Sequence, residues 1–477
     1  MTDLVNLMND LLWGSILIYL LVGVGIFFTF RLGFIQIRHF THMFSVLKNS
    51  RKADKSGISS FQALCTSLAA RVGTGNMAGV AVAITLGGPG AIFWMWVVAV
   101  VGMATAFAES TLAQLYKTKD SDGNFRGGPA YYMEKGLGMR WMGSLFSVLL
   151  LIAFGFVFNA VQANSIVNAM ETAFGWNNLY VGIVIAVLAG IVIFGGIKRI
   201  AKTAELIVPV MALIYLAIAV SILLLNINKL PDVLTLIFAN AFGFKEVAAG
   251  GLGYAIAQAV LNGVKRGLFS NEAGMGSAPN AAAAATPYPP HPASQGYVQM
   301  MGVFVDTIVI CSSTVAIILM SGEYVPHGEI TGIELTQAAL SSQVGDWGST
   351  FIAVAIFFFA FTSIIANYSY AETNLLFLER KGKVGIVFFR FAVLAMVIFG
   401  SVASLPVVWG LADVSMGLMA IVNLVAILLL SGICVKLAKD YNLQLKQGKV
   451  PTFDIKNYPE LESQIEPGIW GKKDTTE

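Results

Sequence analysis

Apolar runs of membrane length recur along this chain from Leu11 to Leu437. A transmembrane helix needs roughly 20 predominantly apolar residues, and runs of that size follow one another along most of the sequence. Of the 477 residues, 56% are hydrophobic and 12% are charged, whereas a soluble domain carries about 25% charged residues. The sequence therefore predicts an all-α polytopic membrane protein.

The apolar runs predict about eleven spans. The first lacks a basic n-region and a small-residue cleavage site, so we interpret it as a retained helix and not as a signal peptide. Cys65, Cys311 and Cys434 form no spaced ligand cluster, and neither a metal site nor a disulfide is expected from them. The predicted spans lie near residues 12–30, 61–84, 92–116, 142–170, 179–197, 203–225, 253–285, 296–321, 347–376, 384–405 and 407–438.

Lysine and arginine orient these spans, because basic loop residues stay on the cytoplasmic side. Every second predicted loop except residues 286–295 is basic, starting with residues 31–55, and so is the tail after residue 438. The other loops hold only Lys229 and Lys245. This pattern places the N-terminus outside and the C-terminus in the cytoplasm. The net charge of +3 is thus a sign of topology, and no nucleic-acid partner is expected.

Two predicted spans are interrupted by glycines and polar residues. The first interruption reads Val72-Gly73-Thr74-Gly75-Asn76. Glycine weakens a helix interior by roughly 1 kcal/mol relative to alanine, and backbone freed at membrane depth survives only where it faces protein or a watery cavity. The interruption is therefore a candidate ligand site. The alternative is a close helix contact built from small residues.

The second interruption is placed at residues 270–276, within the segment from Leu268 to Pro279. Its rival is Gly250-Gly251-Leu252-Gly253, which would leave a much longer connection to the next span. With the first span set aside as peripheral, the interrupted spans open two sets of five spans in opposite orientations. Two broken helices in corresponding positions of inverted halves indicate a secondary transporter with its site near the bilayer midplane.

This interpretation divides the chain into four parts. Residues 1–57 form a peripheral N-terminal transmembrane helix and a basic cytoplasmic loop. Residues 58–228 and 229–438 form the two five-helix repeats, and residues 439–477 form a solvated cytoplasmic tail.

The chemistry of the first interruption suits an amino acid. A half-helix N-terminus presents unpaired N–H groups and partial positive charge, which fit a carboxylate, so Thr74, Gly75 and Asn76 are candidate contacts. Exposed carbonyls at the other half-helix suit an ammonium group or Na⁺. Thr362 and Ser363 add two hydroxyl oxygens for a small cation, although hydroxyls in membrane helices usually bond back to their own carbonyls.

Two blocks of the chain, Gly87 to Gly102 and Arg266 to Ala278, resemble signatures of the alanine/glycine:cation symporter family. The likeness spans roughly residues 13–436. This family shares the five-plus-five inverted-repeat fold of the bacterial leucine transporter. The resemblance implies uptake of alanine, glycine or a similarly small amino acid such as serine across a bacterial inner membrane, with Na⁺ as the coupling ion and no organic cofactor.

Carried over by motif, the resemblance implies roles for individual residues. Thr74 and Gly75 would contact the substrate carboxylate, with Asn76 nearby. Many family members carry a tryptophan shortly after the Thr/Ser pair, where this chain has Ala366-Asn367. Asn367 would then make the pocket more polar or roomier, or else serve as a packing amide. The implied sodium ligands are the carbonyls of Ala69, Val72 and Phe359 with the hydroxyls of Thr362 and Ser363, and the implied substrate or gate residues of the second interruption are Ser270, Asn271, Glu272, Ala273 and Gly274.

Charged residues inside predicted spans are costly and therefore candidates for function. We expect Arg71 or Arg266 to pair with Glu272 or Glu109, as a gating bridge or as a static ion pair. Glu272 or Asp306 could instead carry a proton, which is the main alternative to sodium coupling. Glu372 also lies within a predicted span.

The fourth predicted span supplies a candidate gate. Asn159 and Gln162 are three residues apart and so share a helical face, and Phe158 beside them could cap a pocket. Core filling is the alternative role for this ring.

Two other classes of membrane protein are less consistent with the sequence. A channel would show polar linings along several helices, whereas polar residues here gather at two interruptions and one Thr/Ser pair. An intramembrane enzyme would need a nucleophile with a base, or a metal cluster, within its spans. The four histidines, His39, His42, His291 and His327, all lie in predicted loops, and we expect no enzyme activity.

Overall fold

The computed structural model describes residues 2–51, 57–243, 252–326, 328–379 and 383–470, and these are mostly helical. Several residues used above lie outside the described ranges, namely Gly250, Gly251, Lys245 and His327.

We number the main helices in chain order and include π-helical turns in the helix that holds them. Two short helical segments, Ile35–Arg38 and Phe40–Ser45, follow the first helix. The numbered helices are α1 (Leu4–Arg31), α2 (Ser60–Arg71), α3 (Gly75–Gly87), α4 (Ala91–Leu115), α5 (Pro129–Leu137), α6 (Arg140–Phe174), α7 (Asn178–Ile193), α8 (Gly196–Leu225), α9 (Leu230–Ala241), α10 (Leu252–Asn271), α11 (Pro279–Ala284), α12 (Pro292–Ser321), α13 (Gly332–Val344), α14 (Trp347–Leu378), α15 (Lys383–Val402), α16 (Leu405–Leu429) and α17 (Ser431–Lys446).

Within the described residues, eight helices are long and apolar enough to cross a membrane, and α3 and α7 are shorter apolar helices. The eight are α1, α4, α6, α8, α12, α14, α15 and α16. This architecture confirms the predicted all-α polytopic membrane protein. The count of eleven spans and the inverted repeat stay predictions.

The predicted interruptions coincide with real breaks. The second predicted span divides into α2 and α3, and the seventh divides into α10 and α11. Since α10 is continuous from Leu252 to Asn271, its break lies at the preferred position. Three helices, α5, α9 and α13, lie in segments that we predicted as loops.

Two predictions near the C-terminus are wrong. The last span does not run from Val407 to Ala438, because α16 ends at Leu429 and a turn at Leu430 separates it from the more polar α17. The described part of the tail, residues 439–470, is not a solvated extension, because its aromatic residues are buried. Trp470 is buried, and its indole N–H donates to the carbonyl of Leu115 at 3.2 Å.

Short strands hold the ends of the two broken helices together. Ile58–Ser59, which leads into α2, pairs in parallel with Ala285–Thr286, which follows α11. Ser59 also begins α2 through a capping box, since its side chain accepts from the Gln62 N–H and its own N–H donates to the Gln62 side chain. The start of the first broken helix is thus fixed beside the end of the second. A second pair of strands, Thr118–Lys119 and Phe125–Arg126, is antiparallel.

Candidate functional site

The first break begins where Val72 leaves the helical conformation, with φ −78° and ψ 90°. The Gly73 N–H donates to Asn76 Oδ1 at 2.9 Å, so the side chain of Asn76 pairs with freed backbone. A π-helical turn, Gly75–Gly79, then opens α3. Thr74, Gly75 and Asn76 are all buried, as expected for residues of an internal site.

Gln162 of α6 covers the first break. Its Oε1 accepts from the Thr74 N–H at 3.0 Å and from the Thr74 hydroxyl at 2.8 Å. The sequence analysis names Thr74 as a candidate contact of a substrate carboxylate. Both of its donors converge on one acceptor here, the amide oxygen of Gln162.

The second break is held in an unusual backbone conformation. Glu272 has φ 58°, and Gly274 and Gly276 have φ 86° and 84°. A non-glycine residue in this left-handed region carries strain that the surrounding structure must balance. Glu109 of α4 and Asn423 of α16 provide that support.

Glu109 and Asn423 clamp the second break at Gly274. Glu109 Oε1 accepts from the Gly274 N–H at 3.1 Å. The Asn423 side chain donates to Glu109 Oε2 at 2.8 Å and to the Gly274 carbonyl at 2.9 Å. The Tyr132 hydroxyl completes the group by donating to Asn423 Oδ1. Glu109 therefore holds the backbone of Gly274 in place.

The two breaks meet near Gly75 and Ser270. A Cβ added to Gly75 would lie 3.1 Å from Phe269 Cδ1 and from Ser270 Cα. Asp306, in the π-helical turn Phe304–Cys311 of α12, joins both sides. It accepts from Asn76 Nδ2 at 2.7 Å and from the Ser270 hydroxyl at 2.8 Å. The sequence predicted both breaks, and the structure brings their polar residues together.

The remaining predicted residues of the second break are also buried. Asn271 Oδ1 accepts from the Ala273 N–H at 3.0 Å, while Asn271 Nδ2 has no partner among the described residues. Glu272 accepts from the Ser277 hydroxyl at 2.6 Å.

Four of the five predicted sodium ligands lie together. The Ser363 hydroxyl donates to the Ala69 carbonyl at 2.8 Å and to the Phe359 carbonyl at 3.0 Å. The Thr362 hydroxyl donates to Phe359 at 2.9 Å. Thr362 therefore makes the ordinary bond back to its own helix, whereas Ser363 also reaches across to α2 at the edge of the break. Val72 is one residue beyond the end of α2. A Cβ on its neighbour Gly73 would lie 2.3 Å from Ser363 Oγ, so this part of the break also lies near the group.

This set of oxygens has the chemistry that a small cation needs. Uncharged carbonyl and hydroxyl oxygens at a half-helix end are ligands for Na⁺ in transporters. The described residues hold no group of three or more His, Cys, Asp or Glu side chains suited to a metal ion.

Asn367 lies one turn of α14 beyond Ser363. Its Nδ2 donates to Asn159 Oδ1 at 3.2 Å, and its Oδ1 is buried without a partner in the described part of the chain. If Asn367 served only as a packing amide, its Nδ2 would be hydrogen-bonded and its Oδ1 would have no donor among the described residues.

The predicted partner of Arg266 is wrong. Arg266 Nη2 lies 2.5 Å from Asp413 of α16, and Lys265 Nζ lies 3.9 Å from the same carboxylate. Arg266 precedes Glu272 by six residues on an α-helix that rises about 1.5 Å per residue. It therefore lies well away from the break and faces α16.

Arg71 is buried among the acidic residues without a short ion pair to them. Its Nη1 donates to the Gln299 carbonyl at 3.3 Å, and its Nε and Nη2 have no partner within the described residues. Glu109, Glu272 and Asp306 are near enough for electrostatic interaction with Arg71. The expected pairing of Arg71 is thus a longer-range interaction.

Phe158 belongs to a column of aromatic rings. Its ring centroid lies 4.5 Å from that of Phe154 and 4.7 Å from that of Phe269, and both pairs are stacked. Phe269 also lies 4.6 Å from Trp409, and the Arg266 guanidinium is 4.4 Å from the Trp409 centroid. The column connects the contact between the breaks to the Arg266–Asp413 ion pair.

A cavity of about 1080 Å³ lies away from the breaks, and Arg126, Glu372 and Arg390 are among the residues that line it. Arg126 Nη2 lies 2.9 Å from Glu372, and Arg390 Nη2 lies 3.5 Å from the same carboxylate. Glu372 is therefore a member of a charged network and not of the site at the breaks.

Three residues of this arrangement were missed by the sequence analysis. Asp413 lies within a predicted span, so the rule that selects Arg71 could have found it. Asn423 and Trp409 carry no such signal, because uncharged residues in an apolar helix do not reveal which neighbour they face.

A bundle of membrane-length helices with two broken helices meeting at buried polar residues is the architecture of a membrane transporter. The chain belongs to the sodium:alanine symporter family, whose sequence profile matches residues 1–455. This is a family of transporters, and relatives of the chain are named as symporters or carriers and not as enzymes.

Several relatives match along nearly their whole length. The chain is 55% identical to the probable sodium/glutamine symporter GlnT of Bacillus subtilis over 94% of this chain and 92% of the relative. It is 43% identical to the sodium/alanine symporter AgcS of Methanococcus maripaludis over 92% of this chain and 97% of the relative. It is 44% identical to the putative sodium/proton-dependent alanine carrier protein YrbD of Bacillus subtilis over 96% of each.

Proposed function

We propose that this chain is a sodium-coupled symporter that imports small neutral amino acids, with alanine, glycine and serine as candidate substrates. It works by alternating access in a bacterial inner membrane, with its N-terminus outside and its C-terminus in the cytoplasm. The proposed framework is the leucine-transporter-like arrangement of two inverted five-helix repeats, residues 58–228 and 229–438. Family membership and the paired broken helices support this proposal.

One observation carries the substrate assignment, namely the two donors of Thr74 that converge on the amide oxygen of Gln162. In the proposed mechanism Gln162 moves aside and a substrate carboxylate oxygen takes its place. The half-helix that starts at Gly75 adds its positive end. A buried N–H or hydroxyl left without an acceptor is costly, so either Gln162 or the substrate occupies this position throughout the cycle.

The place of Ser363 between α2 and α14 supports sodium coupling. A cation bound to the oxygens of Ala69, Phe359, Thr362 and Ser363 would join the end of α2 to α14. Val72 would add its carbonyl if the break closes further around the ion. The ion and the carboxylate would then bind to opposite ends of one break, so each would favour the conformation that the other needs.

We assign the closure of one side of the site to two groups. The first is the stacked pair of Phe158 and Phe269, and the second is the Arg266–Asp413 ion pair, whose guanidinium lies over Trp409. These groups form one continuous column from the contact between the breaks.

Uptake by the purified protein in proteoliposomes tests the proposal. Radiolabelled alanine, glycine and serine are supplied under an inward sodium gradient, then with potassium in place of sodium, and then with an imposed pH gradient alone. Accumulation that requires sodium supports symport. The absence of accumulation of every substrate tested would overturn the substrate assignment.

A proton-coupled symporter is the second candidate. Glu109, Glu272 and Asp306 are buried around a single arginine, Arg71, and the relative YrbD is named as a sodium/proton-dependent carrier. Accumulation driven only by the pH gradient, and lost in Glu272→Gln or Asp306→Asn, would transfer the coupling role to these carboxyls.

A further inference from the structure

We propose that residues 449–470, which we call the strap, hold the cytoplasmic ends of the two broken helices together and so favour the conformation that is closed to the cytoplasm. The inference rests on the proposed function and its topology, because it gives a segment outside the membrane spans a role in alternating access. The strap would then set the balance between the outward-facing and the inward-facing conformation.

The strap follows α17 and is an ordered part of the protein. Five of its large apolar or aromatic side chains are buried, and burial of apolar surface is the main force that keeps such a segment in place. The five are Phe453, Tyr458, Leu461, Ile465 and Trp470.

The far end of the strap covers the end of α4. The indole N–H of Trp470 donates to the carbonyl of Leu115 at 3.2 Å. The hydroxyl of Tyr116, which follows α4 directly, donates to Gln464 Oε1 at 2.9 Å. The strap is therefore fixed to α4 through both backbone and side chain.

Lys117 connects this end of the strap to the second broken helix. Its Nζ donates to the carbonyl of Ala285 at 2.9 Å. The same ammonium lies 3.9 Å from the ring centroid of Phe125 and 5.1 Å from that of Trp470, so each ring attracts it. Lys117 is only 2% exposed. Removal of the indole would admit water to the ammonium and weaken its hold on Ala285.

Ala285 lies where the two broken helices are joined. It follows α11 directly and pairs with Ile58, which lies two residues before α2, in the parallel strands. Gln114 Nε2 of α4 also donates to the Ala285 carbonyl, at 2.8 Å. A hold on Ala285 is therefore a hold on the cytoplasmic ends of both broken helices.

The near end of the strap holds the same connection at its other end. The N–H of Phe453 donates to the carbonyl of Pro290 at 2.9 Å, and the ring centroid of Phe453 lies 5.8 Å from that of His291. Pro290 lies five residues beyond Ala285, just before α12. The two ends of the strap thus fix both ends of the connection between α11 and α12.

These contacts belong to one conformation of the cycle. Alternating access moves one part of the bundle against the other around a fixed site, so the cytoplasmic halves α2 and α11 must separate from their neighbours when the site opens inward. Separation of α11 from α4 would break the bond between Lys117 and Ala285. Contacts made in only one of two conformations shift the equilibrium toward that conformation.

The native thiol of Cys65 can report this equilibrium. Cys65 lies on α2 and is buried. It follows Gln62 by three residues and so shares its helical face, and Gln62 Nε2 donates to Glu205 Oε2 of α8 at 2.8 Å. Separation of α2 from α8 should therefore expose Cys65 to a thiol reagent.

The experiment measures the rate at which N-ethylmaleimide labels Cys65 in the purified full-length protein in detergent, by mass spectrometry of its peptides. Trp470→Ala should be labelled at least about five-fold faster than the wild type, because conformational coupling of ordinary strength changes an equilibrium about 5- to 150-fold. Trp176→Ala is the matched control. Trp176 lies between α6 and α7, on the outer side in the proposed topology, and is 54% exposed, so its replacement should leave the rate unchanged.

The labelling of Cys434 in α17 shows whether the protein unfolds. Cys434 is buried as Cys65 is, but it is not on a broken helix. An equal rise at both cysteines in Trp470→Ala would show general loosening and overturn the inference. A wild-type rate at Cys65 in Trp470→Ala would also overturn it.

Tyr116→Phe gives the same test with a smaller change to the protein. It keeps the ring and removes the hydrogen bond to Gln464. We expect labelling of Cys65 to rise about two-fold or more, the factor that one net hydrogen bond gives. An unchanged rate in Tyr116→Phe would contradict the role of the strap even if Trp470→Ala did not fold.

Sodium separates this inference from the proposed function. The proposed ion joins α2 to α14, so saturating sodium in place of potassium should slow the labelling of Cys65 in the wild type and in Trp470→Ala. Faster labelling of Trp470→Ala that is the same in sodium and in potassium would support the strap and count against the proposed sodium site.

Discussion

Gly73 lets Ser363 of α14 and Gln162 of α6 approach the first break closely. A Cβ at this position would lie 2.3 Å from Ser363 Oγ and 2.8 Å from Gln162 Oε1, so Gly73→Ala must displace a proposed sodium ligand. We expect the sodium concentration for half-maximal uptake to rise roughly ten-fold or more, the factor that about 1.4 kcal/mol gives. Sodium-dependent uptake in proteoliposomes measures it.

The control for Gly73 is Gly23→Ala in α1, where an added Cβ would meet no heavy atom within 4 Å. That variant should transport as the wild type does. Wild-type sodium dependence in Gly73→Ala would show that the Ser363 side chain is not at the ion site.

Ser363 itself is expected to be more important for sodium than an ordinary helix serine. Its hydroxyl reaches Ala69 on α2 as well as Phe359 on its own helix. Ser363→Ala, alone or with Thr362→Ala, should raise the half-maximal sodium concentration about ten-fold. Ser369→Ala is the matched control, because the Ser369 hydroxyl bonds only to the carbonyl of Ala366 in the same helix. If both variants keep the wild-type value, the oxygens around Ser363 do not bind the coupling ion.

The second break depends on a support that reaches it from two other helices. Asn423→Leu removes the bonds to Glu109 Oε2 and to the Gly274 carbonyl and leaves both acceptors buried. We expect the free energy of unfolding to fall by about 1–3 kcal/mol for the unsatisfied groups. Thermal unfolding in detergent measures the change.

Asn168→Leu serves as the control for Asn423→Leu. It replaces the same kind of side chain on α6, where Asn168 donates only to Asn164 of its own helix among the described residues. An unchanged midpoint in Asn423→Leu would mean that Gly274 keeps its conformation without the clamp.

The elements show which parts of the fold can be predicted from sequence. The breaks at Gly73 and at Glu272 were located correctly because glycine and polar residues inside apolar runs are local signals. The end of α16 was missed although Ser431 and Gly432 adjoin Leu430, because the apolar run continues beyond them to Ala438. The three helices in predicted loops were missed for a related reason, since helices shorter than a span do not stand out from their hydropathy.

The side-chain contacts of the site could not be predicted in the same way. Gln162 reaches Thr74 across 88 residues, and Asn423 reaches Glu109 across 314. Periodicity places Asn159 and Gln162 on one face of α6, but the helix opposite that face is decided by the packing of the whole bundle. Arg266 illustrates the limit, because a charge-pairing argument offered Glu272 or Glu109 as its partner, whereas its partner is Asp413.

Over the whole molecule, the stability of the protein should depend on pH through His42, which lies outside the membrane spans. Burial, with a smaller contribution from His39, lowers the pKa of His42 from its ordinary value of 6.5 to about 4. Between about pH 6.5 and pH 4, His42 therefore binds a proton in the unfolded chain but stays neutral in the folded chain. The contribution of neutral His42 is complete above about pH 6.5 and is lost as the pH falls to about 4.

The measurement is the midpoint of thermal unfolding in detergent at several pH values, for the wild type and for His42→Gln. The Tyr441 hydroxyl lies 3.0 Å from His42 Nε2. Glutamine keeps a polar side chain that can bond this hydroxyl. The wild type should lose more stability than the variant between pH 6.5 and 4. Parallel pH profiles would show that His42 titrates normally in the folded protein.

Substitutions in the ion pair between α10 and α16 test how strongly the second broken helix is joined to the rest of the bundle. Arg266 and Asp413 are buried, and removing one partner of a buried pair costs about 3–5 kcal/mol because the other charge is left uncompensated. Asp413→Asn should therefore destabilise the protein by several kcal/mol, and Arg266→Gln should do the same.

Replacing both charges removes the cause of the penalty. The double variant Arg266→Gln/Asp413→Asn should be much more stable than the sum of the two single changes predicts, and a double-mutant cycle of unfolding free energies measures the difference. Because Lys265 lies 3.9 Å from Asp413, Arg266→Gln keeps one cation near the carboxylate and should be the milder single variant. Additive effects would mean that solvent reaches the pair. In that case the aromatic column of Phe158, Phe269 and Trp409 does not seal this side of the site, and the gate assigned to it is open in this conformation.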